Sequence, residues 1–140
     1  MTPLERITER VTRNGHPEVH GTPVPLLSIV EFFDGNAHTG SIGCNLSGAP
    51  APARFYELFK RIALHPSVQD VRVQITAFDE PAWPFSDTVF IMTSATAEEV
   101  GQWFDEDLGP DEIWEGFLQN VRYEPYTVPA GTRPVACWWD

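Results

Sequence analysis

The sequence predicts an α+β fold: a single domain over residues 1–140, with a mainly antiparallel five-stranded sheet and helices packed on one face. Three observations carry that expectation. Along Asp70–Asp79, Val71, Val73, Ile75 and Ala77 fall on one side of a pleated strand, and Arg72, Gln74, Thr76 and Phe78 on the other. Period-two alternation in β-branched company means a strand with one buried face, and a slip of one residue would turn the apolar set outward. Further on in type, Phe55, Leu58, Phe59 and Ile62 stand at i, i+3, i+4 and i+7, the apolar stripe of a helix laid on that sheet. The order of elements, finally, reads α, β, β, α, β, β, α, α, β, without the run of βαβ units that a parallel sheet needs.

The elements follow from local chemistry. Thr2-Pro3-Leu4-Glu5 is a capping box with proline at the first helical position, and Asn14-Gly15 closes the helix it opens. A connector rich in proline and glycine, 15–25, leads to an apolar run, Leu26–Phe33, expected as the first strand. Asp34-Gly35-Asn36 turns the chain, and Ser41–Leu46 is expected to return as a second strand of small residues. The helix around Phe55–Ile62 ends before Pro66. After the strand at 70–79 and a proline-stiffened loop, Thr88–Thr93 reads as an interior strand. Thr96-Ala97-Glu98-Glu99 is another capping box, with Val100, Trp103, Phe104 and Leu108 as the buried stripe of its helix. Pro110-Asp111-Glu112 opens a second short helix that turns Ile113, Trp114, Phe117 and Leu118 inward, and Pro134–Trp139 is the last strand.

Composition narrows the function. A chain of 140 residues, 42% hydrophobic, can bury a core and is not disordered. Its net charge of −11 is concentrated: residues 79–124 hold twelve acids against Arg122 alone, while charges cancel on either side. That field repels nucleic acid and anionic lipid and draws basic partners, so neither nucleic acid nor a membrane is expected. The N-terminus lacks the order of a signal peptide, and the two cysteines, Cys44 and Cys137, are expected to be reduced, as in a soluble cytoplasmic protein of bacterial style.

Motifs for chemistry are sparse, and none points to a cofactor. His16 and His20 have the i, i+4 spacing of zinc ligands, but Pro17 opposes the helix that spacing needs, so no metal is expected. The acids of 105–112 depart from the order of a calcium loop. Cys44, with His38 in the preceding loop, is the weak candidate for a nucleophile and base; no basic neighbour in sequence activates the thiol.

Two features suggest binding instead. Glu80–Asp87 places Trp83 and Phe85 on a loop stiffened by Pro81 and Pro84, the composition of an interface anchor as well as of a core cap. In Pro134–Trp139, Trp138 and Trp139 must point to opposite faces, one into the core and one onto the face of Arg72, Gln74, Thr76 and Phe78. In composition alone, as a small, acidic, motif-poor α+β chain with aromatics to expose, the protein is similar to bacterial immunity proteins that sequester toxins. The expected function is a non-enzymatic binding protein for a basic or mixed-charge protein, or for a second copy of itself. Glu98, Glu99, Asp105 and Glu106 would steer the encounter, and Trp83, Phe85 or Trp138 would anchor it. The alternative is a small enzyme or ligand-binding domain with a pocket between sheet and helices, lined by Trp103, Trp114, His38 and Cys44.

Overall fold

A computed structural model describes residues 1–140. In chain order the elements are α1 (Pro3–Val11), β1 (Leu26–Ser28), α2 (Ile29–Phe33), α3 (Pro52–Ala63), β2 (Val68–Gln74), β3 (Thr88–Thr93), α4 (Ala97–Gly101), β4 (Glu112–Glu115) and β5 (Arg133–Trp138), with one 3-10 turn at Glu106–Leu108. The five strands form a single sheet in the order β1-β2-β3-β5-β4, antiparallel at every pairing. The fold is α+β, as the sequence predicts. No helix is long and apolar enough to cross a membrane.

β3 is the middle of the sheet, buried along its whole length, and the strand expected at 70–79 is its neighbour β2, one place in from the edge, although it starts at Val68 and stops at Gln74, with only an isolated bridge at Ala77 beyond. Odd positions Val71, Val73, Val89, Ile91, Val135 and Cys137 face the helices and join Phe55, Leu58, Phe59 and Ile62 of α3 in the main core. Each of those large side chains contributes roughly 2 kcal/mol on leaving water. Even positions face the other way. Phe90, Met92 and Ala136, with Leu26, are roofed by Phe117, Leu118, Tyr123, Tyr126 and Val128 of the irregular segment between β4 and β5. Helices thus cover one face and a loop covers the other.

Four expected elements are built differently, the first being the helix expected from Thr96 to Leu108, which stops at Gly101 and leaves Trp103 and Phe104 in a turn. Leu26–Phe33 is a strand for three residues only; Ser28 then caps α2, its hydroxyl accepting from Glu31 N at 3.1 Å while Glu31 Oε1 accepts from Ser28 N at 2.8 Å. Ser41–Leu46 is not a strand but a series of turns. Gly40 and Gly43 have φ of +94° and +64°, which no pleated strand tolerates, and a Cβ on Gly43 would lie 2.6 Å from the Phe55 ring. The expected helix at 110–118 is the edge strand β4, because pairing to β5 overrides its local helical spacing. One strand lost and one gained leave the count at five.

Candidate functional site

The even-numbered face of β2, expected to be open, is closed by hydrogen bonds from its loop roof. Tyr123 Oη donates to Gln74 Oε1 at 2.7 Å, and Tyr126 Oη donates to Asp70 Oδ2 at 2.6 Å. Burial pushes the Tyr123 phenol up to about 12, and it raises Tyr126 further with help from the Asp70 carboxylate. Arg72 pairs with Asp70 at 2.8 Å and lies over the Tyr126 ring, so its charge is spent locally. Gln74 is buried. An exposed partner surface at Arg72 and Gln74 is therefore corrected: the sequence alternation hid the roof because its residues lie about fifty positions away.

The aromatic loop divides. Trp83 is buried at 4% exposure and its Nε1 donates to Phe32 O at 3.1 Å, which makes it the cap of the core rather than an exposed anchor. Phe85 is half-buried and bridges back to Ala77, prolonging the β2–β3 hairpin. Phe78 stacks on His16 with centroids 5.6 Å apart, and its N–H donates to Glu18, so the N-terminal connector lies against it. Trp139 is in the core, donating to Leu108 O, and Trp138 is half-buried on the opposite face, as expected. Around Trp138 the register sets Thr88 on one side and Glu112 on the other. Asp87 lies beside it, accepting from Thr76 Oγ1 at 2.7 Å, and Thr76 is exposed.

Part of the acidic third is neutralised within the fold. Asp105 meets Arg61 at 2.8 Å, Asp107 meets Arg54, and Arg133 meets Glu115 at 2.8 Å. The guanidinium of Arg54 holds the Asp107 carboxyl below its usual range, as Arg133 does for Glu115. Glu99 is occupied in the capping box of α4. Asp79, Glu80, Glu98, Glu106, Asp111 and Glu112 remain exposed without a basic partner.

The pocket expected between sheet and helices is absent in that form. Trp103 stacks on His65 at 4.1 Å, whereas Trp114 packs on the opposite face of the sheet, so the two cannot line one cavity. Cys44 is exposed and no hydrogen bond joins it to His38; burial pushes the Cys137 thiol up. His38 instead borders a shallow cleft of about 380 Å³ with Thr2, Leu4 and Trp83. No three His, Cys, Asp or Glu side chains converge as a metal site would require.

A larger cleft of about 480 Å³ lies between α1 and α2, with Arg6, Arg10 and Arg13 along it. Arg10 is locked in a buried cluster: Nε donates to Glu31 at 2.8 Å, Nη1 and Nη2 to the Glu124 carboxylate at 3.0 and 2.6 Å, and Nη2 to Leu26 O at 3.1 Å. Neither sequence motif nor spacing signals that cluster, since Arg10 and Glu124 are separated by 114 positions.

The model of the family described as "Uncharacterized protein YfbO family" matches residues 2–137. A protein of Escherichia coli strain K12, described as "Uncharacterized protein YfbO", is 48% identical over 141 residues, with the whole of each chain covered. No solved structure matches the chain.

Proposed function

The chain belongs to the uncharacterized YfbO family, and we propose that it acts as a non-enzymatic binding protein whose acidic third engages a basic or mixed-charge protein. One observation carries this reading: six exposed carboxylates, at Asp79, Glu80, Glu98, Glu106, Asp111 and Glu112, have no basic partner although the fold pairs other acids nearby. Like charges left together cost stability, and their field accelerates encounter with a cation. Trp138 and the Thr76–Asp87 pair lie beside Glu112 and offer an anchor that is half apolar and half acidic. The thiols, one exposed and one buried and neither in a disulfide, fit a cytoplasmic meeting place.

Charge neutralisation at two sites tests the reading against a lysine decapeptide. Replacing Glu98, Glu106 and Glu112 together by glutamine should weaken binding at least about tenfold at low salt. The same change at Glu5, Glu9 and Glu57, outside the acidic third, should alter it less than about twofold. Equal losses from both sets would reduce the interaction to net charge and sink the proposal.

A further inference from the structure

The two edges of the sheet are finished differently. At β1 the bond from Ile75 N to Pro25 O fixes the ladder alternation, so Leu26 and Ser28 aim their main-chain groups away from the sheet. Two of those groups are plugged: Leu26 O accepts from Arg10 Nη2 at 3.1 Å and Arg72 Nη1 at 3.4 Å, and Ser28 N donates to Glu31 Oε1 at 2.8 Å.

At β4 the bond from Gly116 N to Pro134 O, 2.8 Å, sets the alternation in the same way. With Trp114 opposite Ala136 and Glu112 opposite Trp138, the residues facing β5 are Glu112, Trp114 and Gly116. Ile113 and Glu115 therefore turn N–H and C=O outward, and none of these four groups has a partner in the fold. An extended row of unpaired amides is a template for another strand.

We propose that the β4 edge receives an extended basic segment of the partner protein as a sixth strand. This deepens the binding reading above and rests on it. Charge chooses the occupant. Asp111, Glu112 and Glu115 line the edge, and α4, with exposed Glu98 and Glu99, packs beside it. Two copies paired edge to edge would bring the acids of both into one short ladder, where they repel. A strand that alternates basic and apolar residues meets no such penalty. Its bases would lie over Glu112, and an apolar residue over Ile113, which is half-buried against the core.

The test uses the full chain with two hexapeptides: one alternating lysine and valine, and one of the same charge interrupted by proline, which cannot pair as a strand. Hydrogen exchange at the Ile113 and Glu115 amides should slow at least about tenfold with the first peptide and not with the second. Of the main-chain groups Glu115→Pro removes only an outward N–H, along with the carboxylate that pairs with Arg133, and should weaken the alternating peptide about tenfold, while Glu115→Gln, the charge control, should do much less. If both peptides bind alike with no protection at residues 113 and 115, strand addition is overturned and the acidic-face reading survives. If neither binds and neutralising Glu98, Glu106 and Glu112 changes nothing toward the lysine decapeptide, both fall. If the Glu115→Pro chain loses its native tryptophan fluorescence, the exchange rates of the unaltered chain decide alone.

Discussion

Arg10 shows what one side chain can hold together. It is about nine-tenths buried, yet every face of its guanidinium is answered: Glu31 on α2, Glu124 from the distant connector and the carbonyl of Leu26 on β1. The Glu124 contact is bidentate, the geometry a guanidinium satisfies and an ammonium does not, and with the Glu31 carboxylate it raises the Arg10 pKa against the pull of burial. Arg10→Met would leave two carboxylates without their cation, so urea unfolding should reveal a loss of about 3–5 kcal/mol. Replacing Glu31 and Glu124 by glutamine in the same chain should recover much of it, since the cost lies in the orphaned charges. Glu31 also links this cluster to pH. Burial works to raise its pKa, but the Ser28 N–H and Arg10 prevail and hold it below the usual 4.5. A depressed folded pKa means the stabilisation is complete above that usual value and is lost as pH falls through the folded one. Urea midpoints should therefore drop between about pH 5 and pH 3, and Glu31→Gln should lose that part of the slope.

At the scale of elements, α2 is the instructive case. Five residues are too few for a helix to persist on propensity, so α2 depends on its reciprocal cap and on burial of Phe32 and Phe33. Ser28→Ala should cost about 1 kcal/mol in thermal or urea unfolding, with the sheet unchanged. The Ser28-x-x-Glu31 signature stands in the sequence as plainly as Thr2-x-x-Glu5 and Thr96-x-x-Glu99, yet an apolar run of eight residues reads as a covered strand and masks it. The helix α3 and the strands β2, β3 and β5 were legible because a long stripe or a long run leaves one reading. β4 was not, because Ile113, Trp114, Phe117 and Leu118 keep helical spacing while β5 supplies the hydrogen bonds that decide. The same split divides the candidate site. Opposed faces for Trp138 and Trp139 follow from period two alone, whereas the burial of Gln74 depends on Tyr123, which no local pattern brings near.

The whole molecule carries its charge unevenly, and that has a measurable consequence for the unbound protein. Buried ion pairs cluster where α1, α2 and the connector meet, while the exposed, unpartnered acids lie in the stretch from the Trp83 loop to β4. Added salt acts on these two populations differently. Screening reaches exposed charges within a Debye length of about 10 Å at 0.1 M and scarcely touches the Arg10 cluster. It weakens the exposed pairs Arg6–Asp34, Arg54–Asp107, Lys60–Glu57, Arg61–Asp105 and Arg133–Glu115, each worth about 0–1 kcal/mol at most. It also relieves repulsion among the exposed acids of residues 79–124 that the fold leaves without a basic partner, a term that compaction makes worse. The second effect should win, because the pairs are few and solvated while the repulsion sums over many acids. Sodium chloride from about 20 to 200 mM should thus raise the urea midpoint, by up to about 1 kcal/mol in stability. Urea is the required denaturant, since guanidinium is itself a salt. The Glu98, Glu106 and Glu112 to glutamine variant should show a shallower rise while losing affinity for the lysine decapeptide. A protein that tolerates repulsion in the free state and exploits it on binding gives that pair of results. An unchanged salt slope in the variant would mean these three carboxylates do not feel one another, and the acidic face would lose its claim to act as a unit.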